Sequence, residues 1–116
     1  MSEQECLFCR IVAKEIPADI VWESDSALAF RDINAQAPTH VLVIPRQHIA
    51  TINDLTEGDK STVGELFLAA RAIAAEEGLA EDGYRVVMNC NAAAGQTVFH
   101  IHLHLLGGRQ MTWPPG

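Results

Sequence analysis

The chain has 116 residues, 48% of them apolar, which is enough for one domain with a real core. Eight basic side chains against fifteen acidic ones leave a formal charge of −7. That balance argues against a nucleic-acid polymer or an anionic membrane surface as the main partner, while a small anionic ligand can still be held by a local cluster of donors.

Met1-Ser2-Glu3-Gln4-Glu5 is acidic and polar, unlike a targeting peptide, and no apolar run reaches transmembrane length, so a cytoplasmic protein is expected. Cys6, Cys9 and Cys90 are an odd count and poor material for a disulfide framework; Cys6 and Cys9 read as thiols or metal ligands. Residues from about Leu7 to Val12 predict a short helix with Leu7, Phe8 and Ile11 on one side, ended by Ile16-Pro17-Ala18. Three strand-like runs follow: Ile20 to Glu23, Ala27 to Arg31 after a Glu-Ser-Asp-Ser turn, and His40 to Ile44, stopped by Pro45.

Val63, Leu66, Phe67, Ala70, Ile73 and Ala74 recur at three and four residues and predict one long helix with a single apolar stripe. Thr56 and Asp59 form a capping-box-like start, and Gly78 sits where a left-handed C-cap belongs. After a turn at Glu81-Asp82-Gly83, Tyr84 to Met88 and Val98 to Leu106 read as two further strands. The order predicts an α+β domain over residues 1–116, with a five-stranded, largely antiparallel sheet, one long helix and a short N-terminal helix. Residues 107–116 are too rich in Gly and Pro for a regular element. Trp113 within them packs either on its own domain or across a dimer interface.

Three of the five histidines fall in His100-Ile101-His102-Leu103-His104. On a strand, the three imidazoles share one face, and Ile101, Leu103 and Leu105 fill the core on the other. A solvated face, a metal site and a nucleophilic or acid–base device are the available uses. Neutral imidazole attacks phosphorus well near pH 7, and the middle ring, flanked on both sides, is the natural nucleophile; its second nitrogen must then donate to a fixed acceptor. Cys6-Leu7-Phe8-Cys9 has the spacing for two thiolates on one tetrahedral ion, and no thioredoxin-like strand precedes it to suggest a redox pair.

His100-Ile-His102-Leu-His104-Leu-Leu resembles the signature of the histidine triad family. Nearly the whole chain is similar to its Hint branch: Glu15-Ile16-Pro17, Phe30-Arg31-Asp32-Ile33, Gln36-Ala37-Pro38-Thr39-His40, Val43-Ile44-Pro45, Gly95-Gln96, Gly107-Gly108-Arg109-Gln110-Met111 and Trp113-Pro114-Pro115-Gly116 all carry the likeness. The resemblance implies two protomers sharing one continuous sheet. It implies hydrolysis of purine nucleoside 5′-phosphoramidates, or aminoacyl-adenylate-like compounds, through a nucleotidyl-histidine. A dinucleoside polyphosphate hydrolase and a nucleotide-binding or interaction module are the alternatives.

Residue by residue, the resemblance makes His102 the nucleophile, with His104 and His40 beside the phosphate and Thr97 near the leaving group. Asp32 would hold the ribose hydroxyls. Leu7, Phe8, Ile11, Ile16, Phe30 and Ile33 would form the base slot, although each also suits an ordinary core. Asn89, Gly95, Gln96, Thr97 and Val98 would bind phosphate, with Gly95 allowing a close backbone approach. Trp113 would reach the partner's site. No cofactor is implied for catalysis. Some family members bind a structural zinc ion through this cysteine pair and two histidines, which match His48 and His100; Cys90 is left as a small core residue.

Overall fold

Ala27 to Phe30 and Val41 to Ile44 are apolar without alternation, a pattern that suits strands covered on both faces. In the computed structural model, which describes residues 5–116, both runs are fully buried. Strands β1 (Ile20–Glu23), β2 (Ala27–Arg31), β3 (Thr39–Pro45), β4 (Tyr84–Val87) and β5 (Leu103–Gly107) form one sheet in the order β1-β2-β3-β5-β4, antiparallel throughout. Helix α1 (Leu7–Val12) and helix α2 (Lys60–Glu76) take its two faces. The acidic stretch at residues 1–4 lies outside the described residues.

The strand period sorts side chains between two cores. Ala27, Ala29, Val41, Val43, Leu103 and Leu105 pack on Leu66, Ala69, Ala70, Ile73 and Ala74 of α2. Leu28, Phe30, Leu42 and Ile44 pack with Cys6, Phe8 and Ile11 at α1. The α1 side is therefore where anything projecting from the even-numbered positions of β3 and β5 meets the N-terminal helix.

The helix signals do what their chemistry dictates. Asp59 Oδ2 accepts from the Thr56 backbone at 2.8 Å, closing the expected box around a 3-10 turn, Glu57–Asp59, that runs straight into α2. Gly78 has φ +76°, and the Leu79 N–H reaches the Ala74 carbonyl at 2.8 Å, a Schellman ending that buries Leu79.

Two expectations need correction. Phe67 is not in the buried stripe; it is 49% exposed, because it lies at the rim of an arc centred on Leu66. The last strand begins at Leu103 rather than Val98. Its ladder partner at that end is Val43 of β3, and two residues further β3 reaches Pro45, which has no N–H and whose carbonyl is taken by the His100 ring at 2.7 Å. Residues 98–102 stay irregular, with the Ile101 N–H diverted to the Ile49 carbonyl. None of the helices among the described residues is long and apolar enough to cross a membrane.

Candidate active site and metal centre

Between α1 and the sheet lies a cavity of about 400 Å³. Leu7, Phe8, Ile11, Ile16, Phe30, Ile33, Leu42 and Val98 give it apolar walls, and Asp32, Thr97, His102 and His104 are among its polar groups. The Phe8 ring stands edge-on to Phe30 at 5.4 Å and to His102 at 5.1 Å. An apolar slot with an aromatic wall leading to histidines suits a flat heteroaromatic group carrying an anionic tail. All six residues expected in a base slot line this cavity, so the positions that also suited an ordinary core are brought to one concave surface.

The histidines have defined proton positions. His102 Nδ1 lies 2.8 Å from the His100 carbonyl, so it donates there and Nε2 keeps the lone pair. The Gln36 backbone N–H donates to His40 Nδ1 at 3.0 Å, which places the His40 proton on Nε2. That proton points at His104 Nδ1, 2.9 Å away, with Asp32 Oδ2 at 3.4 Å. His104 must then carry its own proton on Nε2. The result is one acceptor nitrogen, on His102, next to one donor nitrogen, on His104, with the two rings 5.0 Å apart.

Burial keeps these rings neutral. It lowers the His102 and His40 pKa values, with Asp32 opposing in each case. His104 is pushed down to about 4 by burial and then by the charges His102 and His40 would carry. A neutral His102 is the form that attacks an electrophile.

On the far side of α1's first turn, Cys6, Cys9, His48 and His100 each offer a ligand atom, all within 4.8 Å of one another. Cys9 Sγ is 3.2 Å from His48 Nδ1 and 3.5 Å from His100 Nδ1, and Cys6 Sγ is 3.4 Å from the same His100 nitrogen. Sulfur–nitrogen edges around tetrahedral zinc are about 3.5 Å long, from the usual Zn–S and Zn–N bond lengths. His100 Nε2 donates to the Pro45 carbonyl at 2.7 Å, the outer contact that fixes a ligating imidazole. His48 Nε2 is buried and has no hydrogen-bond partner among the described residues, so its ring is oriented from the Nδ1 side, where the Cys9 thiol lies. The donor set fits a four-coordinate zinc ion.

Several expected residues sit elsewhere. The Gln96 side chain is committed to the loop: its Oε1 accepts from Asn91 N at 2.8 Å, and its Nε2 donates to Ala50 O at 2.8 Å and Val98 O at 3.1 Å. Gly95 has φ +90°, a backbone conformation that favours glycine, with open space where a side chain would be. Asn89 is half-buried off the cavity wall, His40 stands behind His104, and Trp113 is 82% exposed in the single chain. Leu42, Asp19, Arg31 and Asn34 line the cavity without having been expected there; Leu42 reads only as strand core, and an Arg31–Asp19 ion pair at 3.8 Å needs the fold to bring it together.

The chain matches the HIT domain family over residues 13–111. It is 50% identical, over 108 residues, to a purine nucleoside phosphoramidase of Escherichia coli strain K12, with 93% of this chain and 91% of that protein covered. A HIT family hydrolase from Legionella pneumophila has a structure similar at TM-score 0.95 and 58% identity, over 97% of this chain and all (100%) of that one. A zinc-bound histidine triad family protein from Mycobacterium smegmatis is similar at TM-score 0.81 and 37% identity, over 93% and 78% of the two chains. With the match running through all five strands and α2, this chain belongs to the HIT domain family.

Proposed function

We propose that the protein hydrolyses purine nucleoside 5′-phosphoramidates through a covalent intermediate on His102. The observation that carries this reading is the 2.8 Å contact between His102 Nδ1 and the His100 carbonyl, which leaves Nε2 as the attacking atom at a cavity wall. The name of the Escherichia coli relative supports the substrate class.

The base lies against Phe8 and Phe30, in the slot completed by Leu7, Ile11, Ile16 and Ile33, and Asp32 accepts from the ribose hydroxyls. His102 Nε2 attacks the α-phosphorus, forming a P–N bond as the substrate's P–N bond breaks. The amine leaves with a proton taken from solvent and relayed through the Thr97 hydroxyl. His104 Nε2–H donates to a non-bridging oxygen, and His40 and Asn89 with the backbone N–H groups of Thr97 and Val98 complete the electrostatic support. Water then attacks phosphorus, returns the proton, releases AMP and restores neutral His102.

Zinc held by Cys6, Cys9, His48 and His100 is structural in this reading: four protein ligands leave no open position, and the ion supplies a crosslink when bound. The protein acts as a homodimer in the cytoplasm, with the exposed Phe67 and Leu68 of α2 facing a second copy and Trp113 reaching its site. Comparing kcat/KM for adenosine 5′-phosphoramidate and a diadenosine polyphosphate tests the substrate class. Strong preference for the phosphoramidate is expected; equal or better turnover of the polyphosphate would discard it.

A further inference from the structure

The metal centre and the nucleotide slot are built from the same two pieces of chain. Helix α1 is six residues long, too short to persist without tertiary support. Cys6 is its N-cap, and the Cys6 sulfur accepts the Cys9 N–H at 3.3 Å. Phe8 lies between the two cysteines in sequence, and its ring is the slot wall 5.1 Å from the His102 ring. The cysteine sulfurs in turn reach His100 at 3.4 and 3.5 Å and His48 at 3.2 Å, on the other side of the centre. His100 gives its ring to this centre and its carbonyl to His102 Nδ1. Two cysteines therefore carry the slot wall, and one histidine carries the acceptor that selects the nucleophile's tautomer.

We infer that occupancy of the Cys6–Cys9–His48–His100 centre sets the nucleotide affinity of the cavity and the tautomer of His102, so that the ion is a removable clamp on the site. This rests on the zinc reading given above and extends it from fold to function. Without the ion, α1 is held by the burial of Cys6, Phe8 and Ile11 and by weak thiol–imidazole contacts, and it spends part of its time displaced. Apparent affinity falls with the competent fraction, so a slot formed one-tenth of the time binds about tenfold more weakly. Coupling is reciprocal, and AMP must tighten zinc by the same factor.

The full chain loaded with one equivalent of zinc is compared with the same chain after chelation. The readouts are AMP affinity by calorimetry, zinc affinity with and without AMP, amide exchange, and the ring ¹⁵N shifts of His102. Zinc removal is expected to weaken AMP by about tenfold, speed exchange over residues 5–16 while β2, β3 and β5 stay protected, and mix the His102 tautomers. If the chelated chain does not stay folded, His48→Gln, which removes a ligand outside α1, is expected to reproduce the same losses. A chain that gives up its zinc, or His48→Gln, with unchanged AMP affinity and exchange overturns the clamp and leaves a structural ion standing. A chain that takes up no zinc overturns both.

Discussion

Replacing His104 with Gln tests the neutral-histidine chain through the pH dependence of folding. In the fold, burial and the neighbouring His102 and His40 rings hold the His104 pKa down to about 4, against 6.5 in an unfolded chain. Above pH 6.5 neither state binds the proton, and the ring's contribution is complete. As pH falls from 6.5 to about 4, only the unfolded chain takes the proton up, and that stability drains away. At about 1.4 kcal/mol per pKa unit the ceiling is about 3 kcal/mol. The ring is only half-buried, and solvent relaxation brings the figure to roughly 1.5–2 kcal/mol. Gln can still accept from His40 Nε2 but does not titrate, so the variant isolates the proton from the contact. Urea unfolding of both proteins, at equal zinc loading and from about pH 7.5 to about pH 4.5, reads the difference in slope. The parent is expected to lose roughly 1.5–2 kcal/mol more than the variant over that range. Parallel curves would refute the neutral chain.

Other substitutions probe other parts of the site. Asp32→Asn removes the carboxylate from the cavity wall; a charged hydrogen bond of about 1.5–3 kcal/mol predicts roughly tenfold to hundredfold weaker AMP and a collapse of any preference for ribose over 2′-deoxyribose. Equal loss for both sugars would take Asp32 off the ribose. Gly95→Ala forces a side chain into φ +90° with no clash to relieve, so about 1–2 kcal/mol of strain is expected in thermal unfolding, with a fall in turnover; an unchanged melting curve would mean a different loop backbone. Deleting residues 113–116 is expected to alter preference among amine leaving groups more than AMP binding, and an unchanged preference series would keep Trp113 out of the site.

Local chemistry carried much of this fold on its own. The Thr56–Asp59 box, the left-handed Gly78 and the unbroken apolar run of β3 act within a few residues, and each is found where the sequence places it. The start of β5 was not legible because two distant features end its ladder: the missing N–H of Pro45 and the His100 ring on the Pro45 carbonyl. The His40–His104 contact depends on strand register, His40 opposite Leu106 and His104 opposite Leu42, which composition does not encode. Family likeness placed Gln96 in a phosphate loop but could not say that its side chain turns inward to hold that loop. Leu42 was hidden for the opposite reason, since a strand residue facing a cavity has the same sequence signature as one facing the core.

The most direct test mixes the protein with adenosine 5′-phosphoramidate, quenches during turnover and maps the adducts by peptide mass. An adenylyl group on the peptide bearing His102 is expected, absent from His102→Ala, whose turnover falls by at least about 1,000-fold. Turnover by His102→Ala at the parent's rate, or an adduct on a different residue, would contradict the account.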